Sequence, residues 1–394
     1  MMVILYFKKQ ILVILLLLVI TCPVLVWYGV HQPAITDTYR LRPGFPPLVL
    51  LPGSDRGPKI YAAAAILIES KSGAILYAKN ADQRRAPAST TKIMTAIVAL
   101  EKGDLGKIIT VSRRAAGTRG STIYLKPGDR LSLKELLEGM MLRSGNDGSM
   151  AVAEGVAGSI QVFTELMNLK AKEIGAVNTN FRNPHGLRAP SHYTTALDLA
   201  LMARYGLANR TFANLVKKKT ALLEWDERRK SVEVRNTNRL LWYLEGADGV
   251  KTGTTNEAGH CLVASATRDH KQLITVVLNS GDRWGDSQRL LEYGFKEFDI
   301  LKIADARRPV AKIRIKNGWP RRINLYPRSD LVAVVRKGEV AMVAPQVRVF
   351  KNPVTAPLTP GRILGEIGYL YREQPVNKVD LINLKPIRKS WWLW

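Results

Sequence analysis

Pro87-Ala88-Ser89-Thr90-Thr91-Lys92-Ile93-Met94-Thr95-Ala96 sets a serine and a lysine three residues apart at the head of an apolar run. Ile93, Ala96, Ile97 and Leu100 recur at helical spacing, so Ser89 stands at a helix N-terminus, where the backbone dipole favours developing negative charge. Residues i and i+3 share a helix face, which brings Lys92 beside Ser89. A serine hydroxyl becomes a nucleophile when a neighbouring base takes its proton, and a lysine can do so only as the neutral amine. Lowering its pKa from about 10.4 to roughly 7–8 requires about 4 kcal/mol of differential interaction, which burial and a nearby second cation supply. Two further strings follow in order, Ser144-Gly145-Asn146 and Lys251-Thr252-Gly253. They offer Lys251 as the second charge, Ser144 as a proton relay and Asn146 as an amide to orient Lys92 and a substrate carbonyl. Thr252 adds a hydroxyl for a carboxylate-ended substrate, and Gly253 leaves room for close backbone approach.

The order S-x-x-K, S-x-N, K-T-G is the signature of penicillin-binding proteins and serine β-lactamases. Over roughly residues 59 to 390 the chain resembles the D-alanyl-D-alanine carboxypeptidases, the low-molecular-mass penicillin-binding proteins. Asn183-Pro184-His185-Gly186-Leu187 and Asp248-Gly249-Val250-Lys251-Thr252-Gly253 extend the match, and Ser-Gly-Asn in the middle motif favours the carboxypeptidases over class A β-lactamases. The resemblance implies that the backbone N–H groups of Ser89 and Thr254 hold a tetrahedral oxyanion. It also implies that Arg283 lies near the substrate carboxylate. The implied reaction is removal of the terminal D-alanine from peptidoglycan stem pentapeptides through an acyl-enzyme, with β-lactams as inhibitors and no metal or cofactor. A β-lactamase with the same motifs and a non-catalytic penicillin-sensing or wall-binding protein are the rival readings.

The chain has 394 residues, 46% of them hydrophobic, enough for two domains with real cores. Its formal charge of +26 calls for a polyanionic partner. Residues 301–394 hold 19 Lys or Arg against 6 Asp or Glu, half of that surplus. Lys8 and Lys9 precede an apolar stretch from Ile11 to Val30 that is long enough to span a bilayer. The segment predicts an N-terminal anchor over 1–30, with a cleaved signal peptide as the alternative. The rest then sits outside the cytoplasm at the cell membrane, where anionic membrane surface and wall polymer, and no nucleic acid, are the partners. Cys22 lies inside that apolar stretch and Cys261 ten residues past Lys251, so no disulfide is expected, and the sequence lacks a ligand cluster for a metal.

Residues 31–58 are proline-rich and read as a linker. From 59 to 299 the pattern predicts a catalytic domain. A hairpin over 62–69 and 74–78 is followed by the Ser89 helix, and then by a helix that opens on a capping box at Ser132 and Glu135 and delivers Ser144 to Asn146 on the next loop. Further helices are expected at 150–156, 162–174 and 195–205, the last opening on a Thr195/Asp198 box. Adjacent strands over 261–267 and 273–279 would leave Lys251 to Thr254 on an inner strand, before a closing helix over 286–298. The fold class is therefore α+β: a β-lactamase/transpeptidase-like catalytic domain, an antiparallel sheet with a helical region, and then a small all-β domain over 300–382. The tail 383–394, with three cations and three tryptophans, reads as a membrane-interface segment.

His185, His192, His260 and His270 allow a Ser-His-Asp arrangement with Asp147 or Asp248. No G-x-S-x-G elbow surrounds a serine, and Lys92 already supplies a base, so His185 reads as part of a structural turn.

Overall fold

The computed structural model describes residues 47–224 and 231–390. The expected anchor over 1–30, the linker as far as residue 46 and the last four residues of the tail lie outside the described residues. Among the described residues no helix is long and apolar enough to cross a membrane.

The first layer is a six-stranded sheet. Its spatial order is β1 (Val49–Leu50), β3 (Ala74–Lys79), β2 (Ala64–Glu69), β6 (Lys271–Leu278), β5 (Gly259–Arg268) and β4 (Ala247–Thr255). The expected meeting of first and last strands is present at its centre, where Ile68 lies opposite Ile274 and Ile66 opposite Val276. All neighbours are antiparallel except β1, which runs parallel to β3. Alternate residues of a strand face opposite sides. Accordingly Ala64, Ile66 and Ile68 enter one core with Met94, Leu199 and Ile274, while Ala65 and Leu67 enter another with Leu76, Leu273 and Leu290. Helices α1 (Lys92–Lys102), α2 (Leu133–Leu142), α3 (Asn146–Ala157), α4 (Ile160–Glu173) and α5 (Ala196–Leu207) gather over the first face. Helix α6 (Arg283–Glu297) covers the second.

The capping box forms as expected: the Glu135 amide donates to Ser132 Oγ (3.2 Å), and Glu135 Oε2 accepts from the Ser132 amide (2.8 Å). Helix α2 ends at Leu142, and Asn146 starts α3 instead of lying in the connecting loop. The Thr195 box is only half made. Thr195 Oγ1 accepts from the Asp198 amide, but the Asp198 carboxylate turns to the Thr179 hydroxyl. The linker reading fails for residues 47–58: Leu48 and Leu51 are buried and β1 joins the sheet edge. Two apolar residues flanking the prolines suffice to fasten this stretch.

Helix α6 runs straight into β7 (Phe298–Ala304), which pairs with β10 (Leu331–Arg336). A second six-stranded sheet follows in the order β11 (Val343–Val349), β12 (Ile363–Tyr371), β13 (Gln374–Ile382), β9 (Arg322–Pro327), β8 (Ala311–Lys316) and Val354–Thr355. β8 shows the rule: Ile313 and Ile315 are buried while Lys312, Arg314 and Lys316 face out. The β domain does not stop at 382, because a separate two-stranded sheet follows. Ile387 is buried, and Arg388–Lys389 pairs with Gly318–Trp319, so residues 383–389 belong to this domain and not to a separate tail.

Candidate active site

Ser89 lies in a 3-10 turn, Ala88–Thr91, that precedes α1. Two glycines hold that turn from opposite sides. Gly186 has φ +90°, and a Cβ there would stand 1.8 Å from the Ala88 carbonyl oxygen. A Cβ on Gly253 would stand 3.2 Å from Ser89 N. Ala88 itself has φ 48° and Ser144 φ 68°, left-handed conformations that non-glycine residues adopt at a cost and that concentrate at functional sites.

Lys92 is fully buried. Its Nζ lies 3.0 Å from Ser89 Oγ, 2.7 Å from Asn146 Oδ1 and 2.8 Å from the His185 carbonyl. Asn146 is itself fixed, because its Nδ2 donates to the Arg119 carbonyl (2.8 Å). Burial holds the Lys92 pKa well below the ordinary lysine value, the Lys251 charge lowers it further, and Asp147 opposes both. Lys251 is buried too, and burial followed by the Arg283 charge brings it down to about 7. Ser144 is buried as well, and among the described residues its hydroxyl has no hydrogen-bond partner.

Lys251 to Thr254 lie on β4, which is the edge of the sheet and not an inner strand. The edge is what opens the site. On β5 the His260 carbonyl accepts from Ser280 N (3.0 Å), away from β4. In an antiparallel ladder that makes Thr254 and His260 a non-hydrogen-bonded pair, so the Thr254 N–H faces off the sheet toward the cleft. Arg283 reaches the same edge, donating from Nη1 to the Gly253 carbonyl (3.0 Å) and to Thr254 Oγ1 (2.7 Å). Hydrogen bonds and close approaches thus bring together Ser89, Lys92, Asn146, Gly253, Thr254 and Arg283, with Lys251 and Thr252 on the same strand, while Ser144 stands in the α2–α3 connection two residues before Asn146.

The histidines do other work. His185 Nδ1 accepts from the Leu187 amide, and His192 lies 3.0 Å from Thr91 Oγ1 while accepting from Arg182 N. Burial brings the His185 pKa down to about 3 and that of His192 to about 4, so both are neutral at physiological pH.

A model of the D-alanyl-D-alanine carboxypeptidases matches residues 53–282, more than half the chain. The chain belongs to the D-alanyl-D-alanine carboxypeptidase family. It is a serine carboxypeptidase acting on a D-Ala-D-Ala terminus, and a model of the penicillin-binding protein 5 C-terminal domain matches residues 298–389. It is 37% identical over 328 residues to D-alanyl-D-alanine carboxypeptidase DacF of Bacillus subtilis, with 80% of this chain and 84% of that one covered. Against DacC of Escherichia coli the identity is 33% over 348 residues, covering 84% and 86%. The crystal structure of penicillin binding protein 5 from Haemophilus influenzae superposes with a TM-score of 0.77 at 30% identity, covering 85% of this chain and 99% of that one.

Four contributors escaped the sequence reading. The His185 carbonyl touches Lys92, yet its Asn-Pro-His-Gly-Leu string signals only a turn. Thr237 Oγ1 lies 2.7 Å from Thr252 Oγ1, brought there by a segment with no motif of its own. Asp147, weighed only as a triad acid, instead accepts from the amides of Ile123, Leu125 and Gly148 and ties the 122–125 loop to the start of α3. Gly186 matters through a backbone contact that no sequence pattern displays.

Proposed function

We propose that Ser89 attacks the carbonyl of the penultimate D-alanine of a stem pentapeptide while Lys92 takes its proton. The observation that carries this is the buried amine 3.0 Å from Ser89 Oγ with two carbonyl oxygens, of Asn146 and His185, also in reach. A neutral amine has two N–H bonds and one lone pair. With both N–H bonds given to those oxygens, the lone pair is left for the serine hydroxyl. The amides of Ser89 and Thr254 receive the oxyanion. Lys251, Thr252 and Arg283 bind the terminal carboxylate, which also returns Lys251 to its charged form. The proton passes from Lys92 through the Ser144 hydroxyl to the departing D-alanine while Asn146 holds the amine in place, and water with Lys92 as base releases the tetrapeptide. β-Lactams enter by the same route and stay as the acyl ester.

In this reading residues 1–30 tether the enzyme to the cell membrane with its catalytic domain outside, and the cationic end of the chain meets the membrane surface. The deciding measurement is D-alanine release from diacetyl-L-lysyl-D-alanyl-D-alanine, with labelled penicillin mapped by mass spectrometry. Ser89→Ala abolishes both. Release that survives this substitution, or label on another residue, overturns the assignment. Slow loss of the penicilloyl group, over minutes or longer, separates this enzyme from a β-lactamase.

A further inference from the structure

A cavity of about 470 Å³, lined by none of the active-site residues, opens where the catalytic and β domains meet. Three guanidiniums from separate segments line it: Arg56 between β1 and β2, Arg336 at the last position of β10, and Arg372 in the β12–β13 turn. Gly53, Gly57 and Tyr293 of α6 complete the wall.

Arg336 is half-buried and already oriented. Its Nη2 donates to the Gly53 carbonyl (3.2 Å) and to the Tyr293 hydroxyl (3.0 Å), and that hydroxyl donates in turn to the Arg56 carbonyl (2.7 Å). The guanidinium lies 5.1 Å from the centre of the Phe298 ring and 5.9 Å from that of Tyr293. Among the described residues its Nε and Nη1 have no hydrogen-bond partner, and no carboxylate pairs with it. Arg56 is exposed, and its side chain has no partner among the described residues. Arg372 is taken by Glu339, whose carboxylate also accepts from the Tyr371 hydroxyl. Asp55 and Glu373, the acids next in sequence to Arg56 and Arg372, do not line the cavity.

Three guanidiniums against the one carboxylate of Glu339 leave a surplus of two positive charges. Like charges repel more strongly where water is partly excluded, and an anion offsets that repulsion. Guanidinium forks match carboxylate and phosphate alike, but shape and charge separate the two. A carboxylate is planar, carries one charge and presents two oxygens, which a single fork fills. A phosphate monoester carries close to two charges at neutral pH and three acceptor oxygens, matching the surplus and the three directions of approach. The cavity has the size of a small-molecule site and is larger than a phosphate group, so it also has room for the esterified carbon unit.

We propose that Arg56, Arg336 and Arg372 form a binding site for a phosphate monoester, either a small soluble ester or the headgroup of a lipid. The site stands apart from Ser89 and takes no part in acyl transfer. Arg56 and Tyr293 belong to the catalytic domain and Arg336 and Arg372 to the β domain, so the bound dianion fastens one to the other.

The test uses the full chain in mild detergent and sn-glycerol 3-phosphate, with binding read from the phosphorus NMR line width at constant ionic strength and Tm measured alongside. The wild-type protein binds saturably with a Kd of about 1 mM, and about 10 mM ligand raises Tm by about 2 °C. Dimethyl phosphate and acetate, each singly charged, bind about tenfold more weakly. Arg56→Gln weakens glycerol 3-phosphate about tenfold, while its Tm without ligand and its release of D-alanine stay at the wild-type level. Arg56→Gln with Arg336→Gln removes measurable binding; if loss of Arg336 unfolds the chain, Arg56→Gln alone decides. Detergent micelles doped with phosphatidic acid displace glycerol 3-phosphate where the source is a lipid, and leave it bound where the source is a soluble ester. The site is overturned by a wild-type protein that shows no saturable binding, by unchanged affinity in Arg56→Gln, or by dimethyl phosphate or acetate binding as tightly as the monoester.

Discussion

Gly253→Ala tests whether the β4 edge is set against the nucleophile turn as closely as the site requires. The added Cβ meets Ala88 Cβ and the Pro87 carbonyl at 3.1 Å and Ser89 N at 3.2 Å, where ordinary contact begins near 3.4 Å. The turn cannot recoil, because Gly186 is seated against the Ala88 carbonyl on its far side, and Thr90 Oγ1 holds the Pro87 carbonyl at 2.7 Å. The edge strand must therefore give by about 0.3 Å, a large part of the ~0.5 Å within which a catalytic constellation has to be held. Full removal of an oxyanion donor costs about 10²–10³ in rate, so partial misplacement is worth about tenfold, or ~1.4 kcal/mol. The assay is the second-order rate of acylation by a fluorescent penicillin, with Tm measured alongside. Gly186→Ala is the severe comparison. Its Cβ would lie 1.8 Å from a backbone oxygen at φ +90°, and the same rate falls about 100-fold or the protein fails to fold. Acylation of Gly253→Ala within twofold of wild type at unchanged Tm would falsify the argument.

Two further outcomes follow from buried charge. Lys251 has its pKa lowered to about 7 in the folded protein, so above that pH the unfolded chain binds more protons and stability rises with pH up to the free lysine value near 10.5. Tm should climb between about pH 7 and 9, and Lys251→Met should flatten that slope; an equal slope in both proteins refutes the linkage. Asp147→Asn keeps the shape but replaces a carboxylate that accepts from three amides, so unfolding in urea should show a loss of about 2–4 kcal/mol. Stability within 0.5 kcal/mol of wild type, at about the level of a surface substitution, would deny Asp147 that role.

The chemistry was legible in the chain because it depends on spacings the backbone enforces. Three residues on a helix bring Lys92 to Ser89, and a Ser/Glu pair three apart caps α2 and aims Ser144. Alternation in β2, β5 and β6 foretold a sheet, with both faces covered once helices stood on either side. The departures have local causes. Residues 383–389 were read as tail because their cations mask buried Ile387. Which strand lies at an edge is not written in any single strand, and the long separation of Thr237 from Thr252, or of the His185 carbonyl from Lys92, carries no sequence pattern. The sequence by itself determined which groups react and which elements bear them, since propensity, capping and periodicity are local. Only the tertiary structure decided that β4 is left unpaired on the cleft side and that a backbone carbonyl and two glycines position the amine and the alcohol, because those contacts join segments that nothing but the packed core brings together.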